Sequence, residues 1–232
     1  VRLSSGIGFF VALCAIAAAS GIPFQTKSLR VAKEGWWEAE AKYPVFSAHS
    51  PVLDFGKAHL EANAHKLIEG FLKDAPTYLV NGAKPDNPFA LDSSFSIAYS
   101  SKTLLSLNTS TYEDMGGAHP NTQIDTFNFG LVHGRAKKLT LQDLFKQGVK
   151  GGPIMNKILM KALRKKNLSF IEDGSIKSLE AKDLDNFVLT PKGFDYLFSA
   201  YEVASYAEGP QTVHVNFSQV SGLDRSGPLK GL

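Results

Sequence analysis

Two segments constrain this chain more than any others. The first, Met115-Gly116-Gly117-Ala118-His119-Pro120-Asn121-Thr122, leads into Phe127-Asn128-Phe129. The second, Leu189-Thr190-Pro191-Lys192-Gly193-Phe194, runs on through Tyr201-Glu202-Val203-Ala204-Ser205-Tyr206-Ala207-Glu208-Gly209-Pro210. Each joins a Gly/Pro turn to alternating aromatic residues. Glycine permits positive φ and close backbone approach, and Pro120 restricts the residue before it, so Ala118-His119 is held in a defined geometry. Alternation at period two sends every second side chain to one face of a strand.

The rest of the chain is consistent with strands and helices packed side by side. Residues 25–46 read as extended structure, with Pro44 at an edge or bend. Leu60, Ala64, Leu67, Ile68, Phe71 and Leu72 follow helical spacing and predict a helix over 55–73, capped by Asp54. Residues 78–92, with Asn81-Gly82, Lys84-Pro85 and Asn87-Pro88, read as a loop. Strands are expected at 94–100, 104–112 and 124–132, with a turn at His133-Gly134. Thr140 to Asp143 has the form of a capping box, and Gly151-Gly152-Pro153 opens a further helix. A third short helix at 179–186 and strands at 187–189, 193–198 and 212–217 complete the pattern. The expected class is α+β: two small lobes of mostly antiparallel strands with packed helices. The division expected is a signal peptide at 1–20, an N-terminal lobe at 25–122, a C-terminal lobe at 123–221 and a flexible tail at 222–232.

The first twenty residues predict export. Arg2 precedes an apolar run over 6–19, too short to span a bilayer comfortably, and Ala17-Ala18-Ala19-Ser20 offers small residues for cleavage. A lipoprotein signal at Cys14 or an uncleaved anchor are the rival readings, and Leu13 fits a lipobox poorly. The expected location is secreted or periplasmic, with no stable membrane span after cleavage. Cys14 is the one cysteine, so the mature chain needs no disulfide and has no thiol nucleophile. A net charge of +3 does not imply a nucleic-acid partner.

No segment spells out a reaction. The six histidines show no metal-ligand spacing, and no Gly-x-Ser-x-Gly elbow, P-loop or dinucleotide fingerprint occurs. No cofactor and no metal is expected, and no catalytic residue is assigned. His119, between the glycines and Pro120, is a candidate binding contact, base or ligand; the bland reading is a turn whose imidazole bonds nearby backbone. Glu202 and Glu208 flank Tyr206, where a Tyr hydroxyl bonded to backbone would lock a corner. Lys157, Lys161, Arg164 and Lys165 form one basic stripe on the helix after Pro153. It either faces an anionic wall polymer or acidic partner, or is simply the solvated face of an amphipathic helix.

The paired segments resemble the extracytoplasmic module of the RsiV anti-sigma factor and of the region ahead of the catalytic domain in the peptidoglycan deacetylase PdaC. The resemblance covers about 28–221, from Tyr43-Pro44-Val45 through the Gly-Gly-x-His-Pro turn to Thr126-Phe127-Asn128-Phe129. It continues through Leu139-Thr140-Leu141-Gln142-Asp143-Leu144-Phe145, Phe187-Val188-Leu189-Thr190 and the corner ending at Gly209-Pro210. It implies two small α+β lobes outside the cytoplasm and a module that recognises lysozyme or lies beside wall chemistry. The expected function is a non-catalytic recognition module at the bacterial cell envelope, binding a lysozyme-like protein or a peptidoglycan glycan. Its expected contacts are Gly116, Gly117, His119, Tyr201, Glu202 and Tyr206. The alternatives are a glycan-active enzyme using His119 or Glu202 as acid/base, or an accessory or inhibitor subunit of a wall enzyme.

Overall fold

The computed structural model describes residues 21–232, so the expected signal at 1–20, with Cys14, lies outside the described residues. Strands β1 (Phe24–Lys33) and β2 (Trp37–Phe46) form an antiparallel hairpin. Helix α1 (Pro51–Asp74) starts earlier than the apolar spacing predicts. Its cap is Ser50 rather than Asp54: the Ser50 hydroxyl accepts the Leu53 N–H at 3.1 Å, and Pro51 opens the first turn without losing a bond. Asp54 lies in that first turn, where a negative charge favours the helix dipole.

Two short 3-10 turns follow α1, Ala75–Tyr78 and then Val80–Gly82 within the stretch read as a loop, and β3 (Phe89–Ser100) begins inside that stretch. β3 pairs in parallel with β2 from Trp37–Phe89 to Ala41–Ser93, so α1 is the crossover of a β-α-β unit. Pro44 lies past the last of those pairs, where its missing N–H costs the sheet nothing on that side. β4 (Leu104–Asp114), β5 (Asn121–Val132) and β6 (Arg135–Lys138) follow as an antiparallel meander. The six strands stand in chain order. Residues 123–138, placed with the second lobe by sequence, thus extend the first sheet.

The second half holds α2 (Gly151–Arg164), α3 (Ser169–Glu172) and α4 (Ala181–Leu184). Its sheet is β7 (Phe187–Leu189), β8 (Gly193–Phe198) and β9 (Gln211–Asn216), all antiparallel. The Thr140–Asp143 capping box forms, and the glycine at 193 is obligatory because a Cβ there would stand 2.1 Å from the Val215 carbonyl oxygen. The residues after Ser221, expected as a flexible tail, are packed. Leu223 and Leu229 are buried in the second core, and Leu223 bridges to Phe145. Burying those two side chains contributes about 2 kcal/mol each toward offsetting the entropy lost by ordering the segment.

Each half has its own core. In the first, Leu60, Ala64, Ile68 and Phe71 of α1 meet Leu105, Leu107, Phe127 and Phe129 of the sheet. In the second, Met155, Leu159 and Leu163 of α2 meet Phe187, Phe194, Tyr196 and Phe198. The architecture is the expected α+β pair of small lobes with mostly antiparallel strands.

A polar seam joins the two cores. Because side chains alternate along a strand, β5 sends Phe127 and Phe129 into the first core and Thr126 and Asn128 toward the second half. The Asn128 amide donates to the Phe187 carbonyl at 2.7 Å, and the Ser106 hydroxyl donates to Asn128 Oδ1 at 2.7 Å. The Ser106 oxygen accepts the Leu189 N–H at 2.6 Å. The free edge of β7 is therefore satisfied by side chains of β4 and β5, as buried backbone requires. A register shift between Ile97 and Tyr99 works in the same direction: Ile97 packs on the first core and Tyr99 on the second.

Candidate functional site

The Gly116–Pro120 turn joins β4 to β5, and the 199–210 corner joins β8 to β9. Gly116 has φ +73°, a left-handed geometry, and its N–H is held by Asp114 Oδ1 at 2.9 Å. Gly117 is exposed, and a Cβ added there would meet nothing nearer than the His119 carbonyl at 4.0 Å. At the corner, the Glu208 carboxylate collects the N–H and hydroxyl of both Ser169 and Ser205. Those four donors, the Ser169 hydroxyl foremost, pull its pKa down to about 2. Glu208 is thus a clamp that closes the corner.

The turn and the corner meet through three rings. His119 stacks on Tyr206 at 4.0 Å between centroids, and Tyr201 lies 6.2 Å from His119 and 5.6 Å from Tyr206. The His119 Nδ1–H donates to the Pro120 carbonyl at 3.0 Å, a proton position assigned from its partner, so Nε2 is left facing the Tyr201 hydroxyl at 3.3 Å. Tyr206 donates its hydroxyl to the same Pro120 carbonyl at 3.1 Å. The backbone-bonded Tyr that locks the corner is therefore Tyr206. The fold brings His119, Tyr201 and Tyr206 together, and all three stay exposed. With both ring nitrogens occupied, His119 is built as a contact rather than as a free base.

Tyr201 carries a further cost. Its φ is +68°, a left-handed backbone that a bulky residue adopts at about 1–2 kcal/mol. It is also 52% exposed, so burial does not compensate. The conformation is held by the Tyr201 N–H on the Ala204 carbonyl and the Glu202 N–H on the Ser199 carbonyl. Ser199 in turn accepts the Ile124 N–H at 3.0 Å, so the corner is fastened to β5.

Next in sequence, Glu202 turns inward and lines a cleft of about 620 Å³ between α1, the ends of β4 and β5, and α4. Six carboxylates line that cleft, Asp74, Glu113, Asp125, Asp183, Asp185 and Glu202, against three lysines, Lys66, Lys138 and Lys182. Burial pushes the Glu202 carboxyl above its ordinary value; the Ser199 N–H and Lys182 act against the shift, while Asp183 and Asp125 add to it. Crowding into the cleft also raises Asp125, although that residue remains solvent-accessible, with Lys138 opposing. Glu113 is raised by burial and by Asp74. Among the described residues no group of three or more His, Cys, Asp or Glu is placed to hold a metal ion. Nor is any helix among them long and apolar enough to cross a membrane.

Sequence reasoning missed this cleft, though it named Glu202. The other carboxylates are single residues on separate elements, and only the docking of α4 against α1 and β5 collects them. The one available signal was the run Lys182-Asp183-Leu184-Asp185, dense in charge just before a strand.

The family Deacetylase PdaC matches residues 31–122, and the family DUF3298, a protein of unknown function, matches residues 142–218. No curated protein matches the chain. Among solved structures, a DUF3298 family member from Bacteroides fragilis superposes with a TM-score of 0.59 at 15% identity, over 89% of this chain and 95% of that one. A DUF3298 family protein from Pseudomonas aeruginosa gives 0.59 at 17% identity, over 87% and 94%. Likeness at that identity establishes the shared fold. The chain is thus similar to PdaC over its first half and to DUF3298 over its second, the pairing that its turn and corner motifs resemble.

Proposed function

We propose that this chain is an exported, non-catalytic recognition module of the bacterial cell envelope, secreted or periplasmic, with His119, Tyr201 and Tyr206 as its contact surface. The observation that carries the reading is Tyr201: an exposed aromatic ring held in a strained backbone contributes little to folding. Strain that persists without a packing return is characteristic of sites kept for binding. Rigid tyrosines supply contact area at low entropic cost. The partner classes are a lysozyme-like protein and a peptidoglycan glycan. The acid surplus of the adjoining cleft favours a basic protein over a polymer that itself carries carboxylates.

The test is binding of the purified mature chain to lysozyme and to isolated peptidoglycan, at low and at physiological salt. Saturable binding at physiological salt, lost in His119→Ala and Tyr206→Ala while both variants keep their melting temperature, supports the reading. Melting temperatures that fall with binding would mean that the rings only clasp the two halves. One observation favours a second reading. Glu202 lines the cleft and is pushed toward the protonated form, as the general acid of glycosidic-bond cleavage requires, with other carboxylates of the cleft available as its ionised partner. Turnover of a wall glycan that disappears in Glu202→Gln would replace the first reading by this one.

A further inference from the structure

A second surface shares no residue with the cleft or the rings. A groove of about 320 Å³ runs between α2 and β9, floored by Ile158, Ala162 and Val215 and rimmed by Lys161, Lys165 and His214. Helix α2 contains no acidic residue, and the chain adds none before Leu168. Its exposed face carries Lys157, Lys161, Arg164 and Lys165, with Lys166 just beyond. Among the described residues none of these cations has a carboxylate within salt-bridge distance. A merely solvated helix face mixes both signs and gains from pairs one turn apart. This one bears a single sign over an apolar floor. The Asp195 carboxylate, in contact with the rim, is turned onto His214 Nδ1 at 2.5 Å, and His214 Nε2 is 3.3 Å from Asn216 Oδ1.

Lys157, Lys161 and Lys165 lie one above another, about 6 Å apart along the axis at 1.5 Å per residue. A row of charges at regular intervals suits a linear polyanion. Lysines act as point charges without the planar fork that selects carboxylates, so charge rather than carboxylate shape is read. The groove lining includes no Phe, Tyr or Trp, the platforms on which unpaired nucleic-acid bases stack. We infer that the groove between α2 and β9 is a docking site for a linear phosphodiester polymer of the cell envelope. The phosphates lie on the lysine row and the carbon backbone on Ile158 and Val215.

The probe is soluble poly(glycerol phosphate), titrated against the full mature chain at low and physiological salt. Oligothymidylate of matched charge and polyglutamate serve as competitors. Wild type is expected to bind saturably, with affinity falling as salt rises because each neutralised phosphate releases counterions. Lys161→Glu/Lys165→Glu is expected to weaken binding at least about tenfold, the cost of reversing two contacts in a site of this kind. Lys161→Gln/Lys165→Gln, which avoids placing acids at a helix C-terminus, gives an intermediate loss. Lys27→Glu/Lys102→Glu makes the same change in net charge on exposed lysines elsewhere and is expected to bind as wild type does. Equal affinity in wild type and the α2 variants would overturn the inference. So would an equal loss in the Lys27/Lys102 control, which would mean attraction by net charge alone. Tighter binding of oligothymidylate or polyglutamate than of poly(glycerol phosphate) would overturn the choice of polymer. None of these outcomes depends on whether the ring surface binds lysozyme.

Discussion

The ring-and-cleft surface and the basic groove differ in how they are assembled. His119 comes from the turn after β4 and Tyr201 and Tyr206 from the corner after β8, and the cleft below them takes residues from α1, β5 and α4. That site exists only when the two halves are docked. The groove is made by α2, β9 and the residues that directly follow each, all within the second half. The two are also opposite in charge. A composite acidic site and a self-contained basic one respond differently to the same injury, and that difference can be measured.

The largest effect is expected at the seam. Asn128→Ala leaves the Ser106 hydroxyl and the Phe187 carbonyl buried without their partners, at a cost of about 3 kcal/mol. Below the variant's melting temperature, binding at the rings should weaken while polyanion binding at α2 persists. Parallel loss of both would show that the groove also depends on docking.

A smaller effect separates strain from contact. Tyr201→Gly and Tyr201→Ala both remove the ring, but only Gly accepts φ +68° without penalty. Gly should therefore melt higher than Ala, by about 1 kcal/mol of stability, while neither binds. Equal stabilities would mean that the corner relaxes to another backbone geometry once the ring is removed.

The smallest effects are two pH signatures of opposite sign from one corner. The folded-state pKa of Glu208 is lowered from 4.5 to about 2, so its contribution is present above the ordinary value and is lost as pH falls toward 2. The stability gap between wild type and Glu208→Gln should close over that interval. Glu202 is raised, so its ionised form costs stability as pH climbs from 4.5 through its folded-state value. Glu202→Gln should equal wild type in acid and exceed it slightly at neutral pH, the amide still accepting the Ser199 N–H. A Glu202→Gln chain less stable at neutral pH would mean that Lys182 outweighs burial. Urea unfolding across pH reads both.

Much of this molecule was legible from local chemistry. The His133-Gly134 turn, both with positive φ, the Thr140 capping box and the Pro153 helix start are written in adjacent residues. The strands of the second sheet followed from strand-forming runs between turn residues. Contacts set by docking were not legible. Nothing near Trp37 or Phe89 announces that β2 and β3 pair in parallel, because α1 brings them together. Ser50 was passed over as a cap because the apolar spacing counted from Leu60 does not reach Val52 and Leu53, which are buried. Met155 and Met160 of α2 are buried in the second core. A polar Asn128 between two phenylalanines looks like an ordinary solvent-facing position until a second half covers it.

Strand β5 has no outward side over Thr126 to Phe129, and this bears on how the protein comes to be folded. A one-residue slip would place Asn128 in the apolar core and a phenylalanine on the polar seam, so the pairing is protected from both faces. Because the chain emerges N-terminus first, every strand of the first sheet, through Lys138, is available before the second half. The later half then condenses on a finished template, with the carbonyl of Phe187 and the N–H of Leu189 seeking donors and acceptors already in place. Two cores joined through an intact seam should come apart together in the wild-type chain, in a single calorimetric transition that Asn128→Ala resolves into two.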